Sequence, residues 1–318
     1  MFGHTAVSIG DHVLCPSCGA DRVHQVGPIP PSNIFAGRVL DRVLQGGFLW
    51  KCQDCHLGFR HPRLLRSEVD ELYRLGNSES WPTLAEGRAD WMLISKMISS
   101  FPGIRRILDV GCFDGRLLEY LGKDYERLGV EMHKEAAERA RERGASIVAG
   151  NYSELPSCRI EVDAVLAVDV IEHSYDPLEF LACLISAVRA GGIIVITTGN
   201  TDALTWRLMG SRYWYCHIAE HLSFMNPQWV QKAAHRLGLE VLAIVQFSHM
   251  DGSKFSQRLR EVTANLIYRT SLPLFSWLRR SGVGGIDVRR HPDLLHAPPY
   301  WMSARDHMLV VFRKLEAL

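Results

Sequence analysis

The chain has 318 residues, of which 47% are hydrophobic and 22% charged, with a formal net charge of +1. That composition excludes a disordered or low-complexity chain and leaves room for one large or two smaller globular domains. The balanced charge offers no global basic field for a nucleic acid. No apolar run approaches the about 20 residues that cross a bilayer. Met1–Gly10 lacks the basic-then-apolar pattern of a leader, so the cytoplasm is the expected compartment.

Two C-x-x-C pairs come first, Cys15-Pro-Ser-Cys18 and Cys52-Gln-Asp-Cys55. Each makes a knuckle that offers two thiolates to one metal, and two knuckles close the four-cysteine site that structural Zn²⁺ prefers. Without a leader, the pairs favour metal ligation over disulfides. Cysteine at all four positions leaves no place for water, so the zinc is expected to be structural. Redox dithiols or unrelated surface cysteines are the competing reading. Residues 1–66 are therefore read as a zinc ribbon, with short strands in stretches such as Val39–Leu44. Ser67-Glu-Val-Asp70 reads as a capped helix start, and Trp91–Ile98 as a second helical stretch. Residues 67–104 are expected to be a helical linker or cap, in which Tyr73 and Trp81 either meet a ligand or simply pack.

From Ile104 strand and helix alternate. Strands are expected at Ile107–Val110, Arg127–Met132, Ser146–Ala149, Asp163–Val168, Ile193–Thr197, Glu240–Val245 and Met308–Phe312. Helices are expected from Arg116, over Lys134–Arg143, from Pro177 and over Pro227–Leu237. This order predicts an α/β domain over residues 105–318, with a mostly parallel sheet covered on both faces. Its ligands should bind at the carboxyl ends of the strands. A helical insertion is placed at about 251–305, carrying Phe255, Leu259, Val262, Leu266 and Ile267 among Arg258, Arg260 and Arg269. A basic amphipathic helix can lie on a membrane surface. Glu261 and the break at Pro273 weaken that pattern, and packing on its own domain or on a second subunit is favoured.

The stretch Ile107–Leu121 joins a buried strand, a tight glycine turn and a helix. A dinucleotide site wants G-x-G-x-x-G, but Gly111-Cys-Phe-Asp-Gly115 has no third glycine in place, and Asp109 stands just before it. A carboxylate there would repel a pyrophosphate and meet an ammonium group. That points to S-adenosylmethionine, which carries an amino acid and no phosphate. Glu131 ends the second strand and can accept two ribose hydroxyls. Asn151 is placed to contact the adenine edge, and Asp169 lies at the mouth of the fourth strand. Cys112, Phe113 and Met132 flank these positions.

Over about residues 105–250 these motifs resemble the class I S-adenosylmethionine-dependent methyltransferases, which implies a Rossmann-like sheet. Leu108-Asp-Val-Gly-Cys-Phe-Asp-Gly115 looks like the acidic-glycine loop, and Gly129-Val-Glu131 like the ribose-binding strand end. Asp163–His173 with Asp176-Pro177 looks like the fourth-strand motif, and Ala190–Ile196 like the turn into strand five. Phe113 departs from the pattern, since many members have a second glycine there. Thr198-Gly199-Asn200 departs too, where proline is frequent before the asparagine.

Methyl transfer needs a deprotonated acceptor. Glu172-His173, Glu220-His221 and His217 could each supply the base. A ribbon followed by this fold and Glu220-His-Leu-Ser-Phe224 looks like zinc-ribbon methyltransferases acting on sugars in polysaccharide and natural-product pathways. That resemblance assigns base catalysis to Glu220 and His221 and implies a small, sugar-type acceptor, methylated on carbon or oxygen. Asp169, Glu172 and His173 with a later histidine are also similar to an active-site divalent metal site in some ubiquinone-pathway and small-RNA O-methyltransferases. Two further alternatives stand. One is an RNA methyltransferase using the clusters Arg60, His61, Arg63, Arg66 and Arg258–Arg260, although the charge balance disfavours a nucleic-acid partner. The other is a non-catalytic binding protein on the same fold. The oligomeric state is not fixed by these features.

Overall fold

In a computed structural model, residues 13–74, 88–248, 255–282 and 292–316 are described, so Trp81 and the Met1–Gly10 stretch lie outside the described residues. The N-terminal part supplies β1 (Val23–Pro28), β2 (Ser32–Phe35), β3 (Arg38–Leu44), β4 (Phe48–Cys52) and β5 (Gly58–His61). Helices Arg66–Arg74 and Ala89–Ser100 follow. The remainder holds β6 (Arg106–Val110), β7 (Glu126–Val130), β8 (Ser146–Ala149), β9 (Val162–Val168), β10 (Val188–Gly199), β11 (Ser223–Phe224), β12 (Leu239–Phe247) and β13 (His307–Lys314).

Seven strands form one sheet in the order β12-β13-β10-β9-β6-β7-β8. The pairs β6–β7, β7–β8, β6–β9 and β9–β10 are parallel, while β13 runs antiparallel between β10 and β12. The central strands are mainly apolar because both faces are covered. Ile107, Leu108, Ala164–Ala167 and Ile193–Ile196 are all buried. One face packs Phe180, Leu181, Trp229 and Val230, and the other packs Ile94, Ile98, Leu117 and Leu118. The helices supplying Phe180 and Trp229 start sharply. Asp176 accepts from the Leu178 and Glu179 N–H groups, Asn226 accepts from Trp229 N–H, and a proline follows each cap. This is the expected Rossmann-like α/β arrangement.

Two features differ from expectation. β10 begins at Val188, because Gly191-Gly192 sit within a strand whose register against β9 slips between Val188 and Ile193 rather than in a separate turn. The N-terminal strands are also not a self-contained module ending near residue 66. β1, β4 and β5 make a sheet with β11, through the pairs Ser223–Phe59 and Phe224–Gly58. No helix among the described residues is long and apolar enough to cross a membrane.

Candidate active site

β6 lies between β7 and β9, and its C-terminal end is where the site begins. Asp109 is only 3% exposed and lines a cavity of about 510 Å³. Its Oδ1 is buried with no hydrogen-bond partner among the described residues. Burial, reinforced by the charge of Glu131, pushes the Asp109 carboxyl up to about 7. A buried acceptor with no donor is costly, and a cationic N–H donor would offset that cost. Gly111 next turns the chain at φ +78°, and a Cβ there would stand 2.7 Å from Val170 Cγ2. The turn is pinned by the Gly111 and Cys112 N–H groups, which both donate to the Val130 carbonyl.

Phe113 occupies the left-handed region at φ +49°. A side chain in that conformation costs about 1 kcal/mol. Its ring lines the wall between the first cavity and a second of about 330 Å³, and the Arg139 guanidinium lies 5.9 Å from the ring centre. The Phe113 N–H donates to Glu131 Oε2 at 2.9 Å, and the His133 N–H donates to Glu131 Oε1 at 2.8 Å. Glu131 is thereby fixed toward the second cavity, which Met132 and Asn151 also line. Asn151 Oδ1 is occupied in capping, accepting from the N–H and hydroxyl of Ser153. Gly115 lines neither cavity, although its neighbours Asp114 and Arg116 line the first. A Cβ there would stand 2.9 Å from Ala140 Cα, so this glycine allows two helices to approach closely. An orphaned carboxylate in one cavity and an anchored carboxylate in the next fit the ammonium and ribose ends of S-adenosylmethionine.

The cavities meet at Gly111, Phe113, Val168, Asp169 and His173. Beside this junction, Glu172, His173 and His221 bring ligand-type atoms within 4.8 Å of one another. Glu172 is fully buried, accepting from Thr198 Oγ1 at 2.9 Å and from the Tyr215 hydroxyl. Burial, with the nearby Asp169 charge, pushes it up to about 7. His173 is depressed to about 4 by burial, and its Nδ1 pairs with the Tyr73 hydroxyl. His221 is held well below its ordinary value by burial and by His173, whose ring centre is 4.9 Å away. Both imidazoles are thus neutral at pH 7. His221 Nδ1 is 3.0 Å from the Tyr215 carbonyl. A carbonyl can only accept, so Nδ1 carries the proton and Nε2 keeps the lone pair.

Asp169, read as a cofactor contact, lines both cavities, and its carboxylate accepts from Thr197 Oγ1 and Arg88 Nη2, both at 3.1 Å, apart from the cluster of Glu172, His173 and His221. Glu220 lines the larger cavity, raised to about 7 by burial. His217 is at the same wall, donating from Nε2 to the Pro31 carbonyl.

Sequence reasoning missed what holds this wall. Arg60 on β5 is 5% exposed and donates to four carbonyls. They belong to Gly46 (2.8 Å), Cys216 (2.7 Å), Ile218 (2.9 Å) and His221 (3.1 Å). Arg60 was grouped with Arg63 and Arg66 as surface cations. Instead Arg63 donates to the Tyr175 carbonyl, and both Arg63 and Arg66 lie over the Tyr175 ring. Tyr73, Arg88 and Tyr215 were also missed as partners of His173, Asp169 and Glu172.

At the far end of the ribbon sheet, the sulfurs of Cys15, Cys18, Cys52 and Cys55 lie within 4.8 Å of one another. Cys15 and Cys55 are 3.4 Å apart, and Cys18 and Cys52 are 3.6 Å apart. Tetrahedral Zn–S bonds of about 2.3 Å set sulfurs about 3.8 Å apart, so the four thiols fit a zinc ion.

The methyltransferase domain family matches residues 61–244, more than half of the chain. The mitochondrial ubiquinone biosynthesis O-methyltransferase of Homo sapiens is 27% identical over 44% of this chain and 42% of its own length. The ubiquinone biosynthesis O-methyltransferase of Aeromonas salmonicida is 27% identical over 43% of this chain and 63% of its own. The chain thus spans less than two thirds of these relatives. A crystallised S-adenosylmethionine-dependent methyltransferase from Archaeoglobus fulgidus superposes with a TM-score of 0.48 at 18% identity, covering 79% of this chain and 100% of that one. Matched over more than half its length, and across the strand ends that build both cavities, the chain belongs to the methyltransferase domain family.

Proposed function

We propose that the chain is an S-adenosylmethionine-dependent methyltransferase acting on a small acceptor of sugar or phenol type. The observation that carries the reading is the partnerless Asp109 Oδ1 in the cavity whose other wall holds His173, Glu220 and His221. When bound, S-adenosylmethionine supplies an electrophilic methyl group on a sulfonium centre. Asp109 would accept from the ammonium group, and Glu131 would offer its remaining lone pairs to the ribose hydroxyls. Met132 and Asn151 would frame the base. Trp214, Tyr215 and Tyr300 give the larger cavity aromatic surface, while Glu220 and His217 add polar contacts. That mixture suits a ring bearing hydroxyls. His221 Nε2 takes the acceptor proton, and Glu220, held close to neutrality by burial, stands in the same wall.

A divalent ion held by Glu172, His173 and His221 is the second reading, favoured by their proximity. It would add Lewis acidity, and His221 could not then act as the base. The ribbon cysteines are proposed to hold one structural Zn²⁺, and a cytoplasmic location goes with these assignments. A nucleic-acid acceptor draws no support from Arg60, Arg63 and Arg66, which are engaged within the protein. Calorimetric titration with S-adenosylmethionine tests the reading. One site per chain is expected, lost in Asp109→Ala. A wild-type protein that shows no heat of binding refutes it.

A further inference from the structure

We propose that the helix pair Phe255–Thr270 and Leu272–Arg280 docks on an anionic lipid surface. The observation is a second apolar stripe that faces outward. A helix packed on its own domain should bury its apolar stripe. Here the inner face of the first helix already packs Tyr268 and Ile267 into an aromatic cluster, beside polar groups. Glu261 accepts from the Ser303 N–H at 3.0 Å and from the Ser303 hydroxyl. Gln257 donates to Glu261 at 3.0 Å, and Asn265 is fully buried, donating to the Glu261 carbonyl. The apolar stripe faces outward, with Phe255 81% and Leu259 55% exposed and Val262 and Leu266 beside them. The second helix repeats the pattern. Its inner side carries Phe275, Ser276 and Arg279, while Leu272, Leu274 and Trp277, the last 61% exposed, face out.

Among the described residues of the helix pair, the exposed charge has one sign. Arg258, Arg260, Arg269 and Arg280 are exposed, and the sole carboxylate within residues 255–282 is the inward Glu261. An apolar stripe flanked by arginines with an exposed tryptophan matches the interface of an acidic bilayer. A second copy of the chain is the weaker occupant. A two-fold contact sets this face against itself and brings like charges together. The surface is also braced to the larger cavity. Tyr268 donates to the His296 carbonyl, Ser276 Oγ pairs with His296 Nδ1, and Ala297, Pro298 and Tyr300 line that cavity.

The experiment is co-sedimentation of the full chain with vesicles of phosphatidylcholine alone and of phosphatidylcholine with phosphatidylglycerol. It needs no turnover, so its failure leaves the methyltransferase reading untouched. Binding is expected on the mixed vesicles only, weakening with salt. Arg260→Gln with Arg280→Gln should weaken it about 30-fold, and Leu259→Asp should abolish it. Each variant should keep the wild-type unfolding temperature, because these side chains are exposed. No binding to mixed vesicles at low salt would overturn the proposal. So would a stable dimer broken by Leu259→Asp, or a preference for soluble polyglutamate over vesicles, which would assign the face to an acidic protein.

Discussion

Arg60→Met removes the link between the ribbon sheet and the wall of the larger cavity. Methionine keeps an unbranched apolar stem but no donor, so the carbonyls of Gly46, Cys216, Ile218 and His221 all lose the guanidinium. The Ile218 carbonyl keeps the His221 N–H, and the other three buried carbonyls lose their donor at a cost of at least about 1 kcal/mol each, about 3 kcal/mol for the set. Part of this is offset because burial already disfavours the cation, whose pKa falls to about 10. The net loss should be about 2–3 kcal/mol. In urea that lowers the unfolding midpoint by roughly 1 M at a slope of about 3 kcal/mol/M. Three of the four carbonyls lie in residues 216–221, so His221 loses its placement along with the stability. Turnover should fall while the affinity for S-adenosylmethionine, set at β6 and β7, stays within twofold. Arg60→Lys, with one donor group, should lie between the two. An unchanged midpoint, or lost stability with full turnover, would refute the reasoning.

Other expectations follow from the same contacts. Asp109 binds an ammonium only as the carboxylate, and burial holds it protonated up to about pH 7. S-adenosylmethionine affinity measured by calorimetry should therefore rise about tenfold per pH unit between pH 5 and 7 and then level off. Asp109→Asn should remove that slope. The raised Asp109 pKa also makes its contribution to apo stability fall between about pH 4 and 7, since the folded chain keeps a proton that the unfolded chain has released. Gly111→Ala should cost about 2 kcal/mol, from the left-handed φ and the 2.7 Å approach to Val170 Cγ2. Adding Val170→Ala should recover part of that loss in thermal unfolding. His221→Gln should lower turnover at least about 100-fold with cofactor affinity unchanged, and wild-type activity should survive a chelator if His221 is the base. Cys52→Ser should release one zinc per chain by elemental analysis, and unfolding should become less cooperative around β4 and β5.

The sheet was legible because its signals are local. The apolar run Ile107–Val110, the helix caps at Asp176 and Asn226 and the glycine turn at Gly111 each act within a few residues. The positions of Asp109 and Glu131 near the C-terminal ends of β6 and β7 were legible for the same reason, while their contacts to the cofactor are a proposal. Contacts between distant segments were not. Nothing near Arg60 announces a carbonyl on His221, 161 residues later. Asp169 sits one turn from Glu172, yet its partner is Arg88, fixed by a helix far earlier in the chain. The packing of Gly115 against Ala140 was not legible, because a glycine that lets two helices approach looks the same in sequence as one that meets a ligand. Periodicity located the stripe on helix Phe255–Thr270 but could not tell which side faces the protein, because apolar residues stand on both sides of it, Tyr268 and Ile267 inward and Phe255, Leu259, Val262 and Leu266 outward.

The central claim is methyl transfer to a small acceptor from a cofactor held by Asp109. Its most direct measurement is the fate of a radiolabelled methyl group from S-adenosylmethionine, followed in native-source extract that has been separated into small-molecule, protein and RNA fractions. Label is expected in the small-molecule fraction with the wild-type chain and at background with Asp109→Ala. Label in the RNA or protein fraction, or equal labelling by both proteins, would contradict the account.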